Sequence, residues 1–393
     1  MKVAIVHYWL VTMRGGEKVL EELCRLYPQA DIFTLVLDEN SLSPILRKHK
    51  ITTSFLQSIP GSRKHYQKLL PLMPFAIEQL DVTDYDLVIS SESGPAKAIV
   101  TRPDALHICY CHSPMRYIWD HYHVYRRELG AVSRWIFSLV APFLRIWDVT
   151  TAARVDAFVS NSVHVSRRIA RVYNRMSTVI YPPVAVEDFQ PAETVEDYYL
   201  CAGQLVTYKR PDLAVEAFTR MNKPLVVIGD GPHLDALKKV AGPSVKFLGR
   251  CDFATLRHHL SHCRALVFPG EEDFGILPVE AMASGRPVIA YGAGGALESI
   301  GDEGAGVFFQ DQTVEGLIEA VERFEARADE FDPQAIRARS ENFSAARFRR
   351  EMQAFVEAEW ARKRSKFQRP GWNSDETVAE RADLLIPAKA DRA

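Results

Sequence analysis

Two carboxylates, Glu272 and Glu280, stand on either side of a segment that the sequence predicts to be a turn from a strand into a helix. An apolar run ends shortly before Glu272, Pro278 suits the first position of a helix, and Gly285 would end it. Backbone N–H groups at 275–277 would then point out of a helix N-terminus, where phosphate binds well. Both carboxylates would face one ligand that carries phosphate and hydroxyl groups. The alternative is a surface turn with an acidic residue favoured by the helix dipole, and the pattern favours neither.

Two adjacent cations, Lys209 and Arg210, follow one predicted strand and precede a helix that begins near Asp212. Such a pair at the carboxyl end of a strand suits a pyrophosphate group. The alternative is that Asp212 caps the helix while both cations are solvated, and it is a serious one.

Glycine-rich turns and one histidine are further candidates. Gly16 follows the first predicted strand and opens the first helix, where a glycine lets the backbone approach a phosphate. The absence of a G-x-G-x-x-G pattern there disfavours a dinucleotide site. A third glycine-rich segment, 292–295, is predicted to face the same edge of the sheet. His112 would project from the carboxyl end of a strand, where a lone histidine is more often structural; if it contacts a ligand, its expected work is positioning and electrostatic support.

The segment 116–147 interleaves arginines with Trp, Tyr and Phe. This mixture suits a membrane interface or an anionic lipid head group, and the basic segment 60–72 would extend the same face. The alternative is a pair of amphipathic helices packed on the first domain. The pattern is equally consistent with a membrane face and with such a packed pair. The residues predicted for an acceptor or membrane face are Arg116, Trp119, Arg126 and Arg127.

Composition excludes several classes of protein. The 393 residues are 47% hydrophobic and 25% charged, with a net charge of −2, which gives no support to nucleic-acid binding as the main task. The six cysteines have no CxxC spacing and are expected to be reduced, and no metal site is expected at Cys109, Cys111 and His112. No signal peptide is expected at the N-terminus, and the apolar run 135–144 is too short to span a bilayer. A cytoplasmic protein is therefore expected.

Strand-like and helix-like segments alternate along the chain in two sets, which predicts an α/β fold with two doubly wound, Rossmann-like domains facing a cleft. A stiff connector with two prolines separates the sets near residue 183. The predicted divisions are a first domain at 1–182, a second domain at 183–342, a helix at 343–362 and a flexible tail at 363–393.

The segment that ends at Glu280 resembles the E-x7-E signature of the retaining glycosyltransferases of family 4, which use nucleotide-sugar donors. In that family the first Glu and the backbone of the Phe-Gly-Ile segment contact the donor sugar, and the second Glu contacts the ribose. The resemblance makes Glu272 a catalytic, donor-binding residue. It makes Phe274, Gly275, Ile276 and Glu280 further donor-binding residues.

Other segments match the same family. Gly16 corresponds to the glycine-rich loop beside the donor phosphates, and Cys251 to the position whose backbone reads the nucleobase edge. Lys209 corresponds to a Lys on the donor diphosphate. The Arg that accompanies it in the family is replaced by Gln204, so neighbouring Arg210 becomes the candidate for the missing charge.

The resemblance implies the GT-B fold over residues 1–362, with an acceptor-binding domain at 1–182, a nucleotide-sugar-binding domain at 183–342 and a helix at 343–362 that returns to the first domain. It also gives His112 a catalytic place near the donor sugar. Within the family, the segments 13–18, 111–116 and 269–275 look most like bacterial mannosyltransferases of O-antigen and exopolysaccharide assembly. A metal-independent transfer of mannose from GDP-mannose to a saccharide acceptor, lipid-linked at the cytoplasmic face of the inner membrane, is therefore expected, with peripheral membrane contact and no other cofactor. A UDP-sugar transferase, a nucleotide-sugar epimerase of the same fold, and an inactive sugar-nucleotide-binding partner remain alternatives.

Overall fold

The computed structural model describes residues 1–302 and 304–367, except for the side chains of 366 and 367. The first half is a seven-stranded parallel sheet with the strand order β3-β2-β1-β4-β5-β6-β7. Its strands are β1 (Val3–His7), β2 (Asp31–Thr34), β3 (Ile51–Thr53), β4 (Leu87–Glu92), β5 (Leu106–Cys111), β6 (Ala157–Ser160) and β7 (Ser177–Val179). Its helices are α1 (Gly15–Leu26), α2 (Ser62–His65), α3 (Met73–Glu78), α4 (Tyr122–Glu128), α5 (Ala131–Ala152) and α6 (Val163–Tyr173), with a 3-10 helix at Tyr66–Leu72.

The second half is a six-stranded parallel sheet with the order β10-β9-β8-β11-β12-β13. Its strands are β8 (Tyr199–Ala202), β9 (Leu225–Ile228), β10 (Val245–Gly249), β11 (Leu266–Phe268), β12 (Val288–Tyr291) and β13 (Gly306–Phe309). Its helices are α7 (Pro211–Met221), α8 (Leu234–Val240), α9 (Phe253–His262), α10 (Ile276–Ala283), α11 (Ala296–Ser299), α12 (Val314–Ala326) and α13 (Pro333–Ser340), with a 3-10 helix at Thr207–Lys209. The prediction of two doubly wound α/β halves is confirmed.

In both halves the strand order reverses at one place, between β1 and β4 in the first sheet and between β8 and β11 in the second. Doubly wound sheets bind ligands in the crevice beyond the carboxyl ends of the strands at such a reversal. The loops after these four strands therefore position the functional residues. The strands themselves are buried along their length and mostly apolar, because helices cover both faces of a parallel sheet.

The last helix, α14 (Ala345–Phe367), crosses back to the first half. Its residues Phe348, Met352 and Val356 are buried in the same apolar cluster as β1. The helix continues to Phe367, past residue 363 where the flexible tail is predicted to begin. Within this extension Lys363 pairs with Asp156 of the first half at 2.8 Å. The remainder of that predicted tail, 368–393, lies outside the described residues.

A buried charge cluster holds α5 against the first sheet. Lys97 lies between two carboxylates, Glu92 at the end of β4 and Asp148 of α5, and all three side chains are almost fully buried. Asp148 also accepts hydrogen bonds from the indole N–H of Trp119, at 2.8 Å, and from the hydroxyl of Tyr173. Burial raises the pKa of Glu92 to about 7, against the opposing effect of Lys97.

Candidate active site

A cleft of about 1220 Å³ lies between the two halves, at the carboxyl ends of both sheets. The loops after β1 and β5 line it from the first half, and the loops after β8 and β11 from the second. The predicted site residues that line it are Gly16, His112, Arg116, Lys209, Glu272, Phe274, Gly275, Ile276 and Glu280. The structure thus brings together residues that are more than 250 positions apart in the sequence.

Lys209 and Glu272 form an ion pair in this cleft, with 2.6 Å between Nζ and Oε1. They follow β8 and β11, the two neighbouring strands at the reversal of the second sheet. Gly270 permits this approach, because a Cβ there would lie 2.6 Å from the Cα of Lys209. Burial by itself would lower the pKa of Lys209, but the charge and hydrogen bond of Glu272, together with Tyr208, raise the pKa above its ordinary value. Lys209 is therefore a permanent cation at neutral pH.

The helix after Glu272 begins earlier than predicted. Gly275 adopts φ = 91°, a conformation that favours glycine, and α10 starts at Ile276, so Pro278 is its third residue and not its first. Proline is tolerated there because the first-turn N–H groups have no partner within the helix. The N–H groups of Ile276 and Leu277 are thus in the first turn of α10, and both residues line the cleft.

The glycine-rich segment 292–295 has a different place from the one predicted. A Cβ on Gly295 would lie 2.3 Å from the carbonyl oxygen of Asp273, and the N–H of Gly295 donates to the carbonyl of Glu272 at 2.8 Å. The segment packs behind the Glu272 loop, because two backbones approach each other closely there. It supports the loop and does not line the cleft.

Glu280, on α10, is a carboxylate whose charge is disfavoured by its surroundings. Burial raises its pKa to about 7, and the attraction of Lys18 across the cleft opposes this only in part. Glu280 therefore accepts a proton near neutral pH and is suited to hydrogen bonding with ligand hydroxyl groups.

His112 belongs to a hydrogen-bonded chain that extends away from the cleft. Its Nε2 lies 3.0 Å from the hydroxyl of Ser91, and that hydroxyl lies 3.2 Å from Nδ1 of His7. The other ring nitrogen of His7, Nε2, lies 3.9 Å from the carboxylate of Glu17. Burial, and secondarily His7, lowers the pKa of His112 to about 3, so its ring is neutral. A neutral imidazole orients a ligand by hydrogen bonding and brings no positive charge. Gly16 faces this ring, since a Cβ there would lie 3.6 Å from its Nε2.

Ser91, His7 and Glu17 were not predicted from the sequence. Their only sequence signal is their position at the ends of β4 and β1 and in the first turn of α1, the elements at the reversal of the first sheet.

Ion pairs and hydrogen bonds hold the two halves together around the cleft. Asp273 pairs with Arg116 at 3.5 Å and with Arg168, both from the first half. On another side, the carboxylate of Glu298 accepts hydrogen bonds from the N–H groups of Val163 and His164, at 2.6 and 2.8 Å, in the first turn of α6. Through these contacts the two halves are held against each other on two sides of the cleft.

Two family models match the chain in succession. The model described as Glycosyltransferase Family 4 matches residues 13–188, and the model described as Glycosyl transferases group 1 matches residues 186–340. The chain is a GT-B glycosyltransferase of the family 4 type. The predicted resemblance is therefore confirmed.

Curated relatives of this glycosyltransferase include mannosyltransferases. A GDP-mannose-dependent alpha-(1-6)-phosphatidylinositol monomannoside mannosyltransferase of Mycobacterium tuberculosis is 29% identical over an alignment of 209 residues that covers 45% of this chain and 53% of the relative. The O-antigen chain mannosyltransferase RfbU of Salmonella typhimurium is 32% identical over 144 residues, 33% of this chain and 40% of the relative. The chain thus spans about half the length of the curated relatives it matches.

Solved structures agree on the fold. Anabaena HepE in complex with UDP has a TM-score of 0.66 and 15% identity, over 91% of this chain and all of the other. Sucrose-phosphate synthase of Thermosynechococcus elongatus has a TM-score of 0.70 and 17% identity, over 92% of this chain and all of the other. At these identities the likeness shows the GT-B fold alone.

Two residues predicted to bind the donor lie outside the cleft lining of this glycosyltransferase. Arg210 turns towards Asp212 and pairs with it at 2.9 Å, because its left-handed backbone (φ = 51°) directs it away from Lys209. Cys251 follows β10, where its thiol lies near the carbonyl groups of Leu248 and Gly249. The cation pair of the sequence is therefore divided: one member is in the cleft and the other is on the surface.

The residues predicted for an acceptor or membrane face also separate. Arg116 lines the cleft and pairs with Asp273, whereas the indole N–H of Trp119 donates a hydrogen bond to the buried Asp148. Arg126 donates to the hydroxyl of Ser138 at 2.8 Å, and Arg127 is exposed on α4.

The cysteines do not converge with His112. Cys109 and Cys111 lie beside Glu92 in the buried interior, whereas His112 contacts Ser91. The expectation that these three residues form no metal site stays a prediction.

Proposed function

We propose that this protein transfers a sugar, preferably mannose from GDP-mannose, to a hydroxyl group of a saccharide acceptor with retention of configuration. The observation that carries the proposal is the cleft that contains Lys209, Glu272 and Glu280 together at the strand-order reversal of the second half. The names of the mannosyltransferase relatives support the choice of donor.

In the proposed reaction the bond between the anomeric carbon and the diphosphate oxygen breaks, and a bond from the same face to the acceptor oxygen forms. The acceptor proton passes to the leaving diphosphate. Negative charge develops on that diphosphate, and Lys209 together with the free N–H groups of α10 stabilises it. Glu272 binds the sugar and Glu280 the ribose, while neutral His112 orients the sugar.

Arg14 provides the charge that Gln204 lacks in this proposal. Its guanidinium comes from the first half, lines the cleft, and donates to the side-chain oxygen of Gln204 at 3.4 Å. A cation therefore stands next to the position where the family carries an arginine. It arrives from the opposite half, so it completes the diphosphate site only when the halves are together.

We further propose that the acceptor is lipid-linked and that the protein works at the cytoplasmic face of a membrane. The relatives named for phosphatidylinositol mannoside and O-antigen chains support this. Among the described residues, no helix combines the length and apolar character needed to cross a bilayer. The proposed contact with the membrane is peripheral.

Thermal unfolding with GDP-mannose, UDP-glucose or ADP-glucose tests the donor, because a ligand that binds the folded state raises the melting temperature. We expect the largest rise with GDP-mannose. A larger rise with UDP-glucose would favour the UDP-sugar transferase, and no rise at millimolar concentration with any donor would contradict the donor site.

Transfer activity of Glu272→Gln tests the chemistry. We expect kcat/KM to fall by at least about 100-fold, since a contact to the reacting sugar is lost. The matched control is Glu271→Gln, a neighbouring and more exposed carboxylate outside the cleft lining, which should stay within about twofold of wild type. Equal activity of Glu272→Gln and wild type would contradict the assignment, and donor consumption without an acceptor would favour the epimerase.

A further inference from the structure

The outward side of α5 has an apolar stripe that no other part of the described chain covers. Its members recur every three or four positions, which is the spacing of one helix face. They are Val132, Trp135, Ile136, Leu139, Phe143 and Ile146, hereafter the outer stripe. Their exposure ranges from 45% for Ile136 to 74% for Val132, whereas large apolar side chains are normally removed from water.

The opposite side of α5 fixes the direction in which this stripe points. Ala141 and Leu144 are buried against Met115 and Ile118, and Asp148 is held in the buried charge cluster. Rotating α5 to cover the stripe would expose these apolar groups and break the pairing of a buried carboxylate. The exposure of the stripe is therefore a stable property of the fold.

The segments that carry and flank the stripe are rich in cations. The 3-10 helix at Tyr66–Leu72 packs beside α5 through Leu70. The segments 61–78 and 121–154 together contain eight Lys and Arg but three Asp and Glu, in a chain whose net charge is −2. The eight are Arg63, Lys64, Lys68, Arg126, Arg127, Arg134, Arg145 and Arg154. Of the three acids, Asp148 is buried against Lys97 and Glu78 pairs with Arg154, so the solvent meets a positive surface.

This surface is continuous with the cleft. Phe137 of α5, Leu129 before it, and Gln67 and Leu70 of the neighbouring 3-10 helix all line the first-half side of the cleft. An acceptor anchored in a layer against α5 would thus enter the cleft from the edge of that layer.

We propose that the outer stripe and its surrounding cations dock on an anionic lipid bilayer, with α5 parallel to the bilayer surface. Aromatic and aliphatic side chains would enter the boundary between head groups and acyl chains, and the cations would contact the head groups. A second copy of this chain fits poorly, because a symmetric contact would oppose two surfaces of the same positive sign. The outer stripe lies within the segment 116–147 that the sequence predicts for a membrane face, but Arg116 and Trp119 of that segment lie elsewhere, in the cleft lining and against the buried Asp148.

The docking surface deepens the proposed membrane contact, while the delivery of a lipid-linked acceptor rests on the proposed sugar transfer. The experiment is sedimentation of the full chain with vesicles of phosphatidylcholine alone or with 30% phosphatidylglycerol, a composition of the order that anionic membranes have. We expect the protein to partition onto the anionic vesicles and to dissociate as salt is raised.

The double variant Phe143→Glu and Ile146→Glu should lower partitioning by at least about tenfold, since two apolar groups are replaced by anions. The matched control is Val240→Glu, which changes an exposed valine on α8 in the other half and should leave partitioning unchanged. Lys64→Glu with Lys68→Glu should abolish the preference for anionic vesicles, again by at least about tenfold.

Equal partitioning of the Phe143 and Ile146 variant and wild type would overturn the proposal. The proposal would also be overturned if the wild-type protein did not bind vesicles but formed a dimer that this variant does not form. The outer stripe would then be covered by a second copy of the chain. Release of nucleoside diphosphate from the donor with a water-soluble acceptor is measured in parallel. A variant that loses vesicle binding but keeps this activity supports the docking surface. A wild-type protein that binds vesicles but shows no such activity contradicts the proposed function and leaves the docking surface standing.

Discussion

Two of the lysine–carboxylate groups in the protein differ in what surrounds them. In the buried charge cluster, Lys97 lies between Glu92 and Asp148 with almost no exposure to solvent. In the cleft, Lys209 pairs with Glu272 where both side chains remain about one quarter exposed. A sealed cluster cannot exchange partners with a ligand, but an open pair can release its lysine to a diphosphate. The same pair of residue types is therefore structural in one place and suited to binding in the other.

Lys97→Ala breaks the sealed cluster and has the largest expected effect. It leaves two carboxylates buried without a cation, so the free energy of unfolding should fall by about 3–5 kcal/mol. Urea denaturation measures the change. Lys209→Ala is the control, and its effect on the same quantity should be below about 1 kcal/mol because water reaches its partner. Similar losses in both variants would remove the distinction between the two groups.

Lys209→Met tests the open pair through activity. We expect kcat/KM to fall by about 100- to 1000-fold, because the charge that faces the leaving diphosphate is lost. Arg210→Met is the matched control and should lose less than about fivefold, since Arg210 pairs with Asp212 outside the cleft lining. An equally inactive Arg210 variant would restore the prediction from sequence that both cations bind the donor.

Glu280→Gln extends the comparison to a carboxylate without a lysine partner at hydrogen-bonding distance. Its folded pKa of about 7 lies above the ordinary value, so the folded state holds more protons than the unfolded state between these pH values. Stability therefore declines as pH rises from about 4.5 to 7 in wild type. The glutamine variant lacks this decline. The free energy of unfolding of the variant minus that of wild type should therefore rise by on the order of 2 kcal/mol between pH 4 and pH 8. Urea denaturation at both pH values checks this, and a difference that does not depend on pH would contradict it.

Arg14→Gln has the smallest expected effect. Arg14 is exposed at the cleft edge, so the affinity for GDP, measured by calorimetry, should fall by about tenfold and depend less on salt. Lys48→Gln, an exposed cation of the same half, should leave the affinity unchanged. An unchanged affinity in the Arg14 variant would show that Gln204 is not compensated from the first half.

The sequence predicts the fold well where burial controls residue type. The central strand β1 is an apolar run up to His7 and β4 begins with the apolar run Leu87–Ile89, and the predicted positions of both strands agree with the structure. The strands β3, β7 and β13 were not predicted. Each is at an edge of its sheet, where one side has no neighbouring strand and a short, mixed sequence such as Ile51–Thr53 is sufficient.

The site is predictable only within one loop. Glu272 and Gly275 are close in the sequence, so the E-x7-E pattern reports them together. The contact of His7 with Ser91 joins residues 84 positions apart, and that of Arg14 with Gln204 joins residues 190 apart. No local pattern specifies such pairs, because they depend on how the strands and the two halves come together.

The chain passes between the halves twice, and the two passages lie side by side. The N–H of Val184 donates to the carbonyl of Phe343 at 2.9 Å, so the connector after β7 and the entry to α14 are bonded to each other. Two adjacent passages leave rotation about one axis as the simplest relative motion of the halves. Opening and closing would then be one degree of freedom that donor entry, acceptor entry and product release all share. Residues at this hinge can set the turnover rate without touching any substrate.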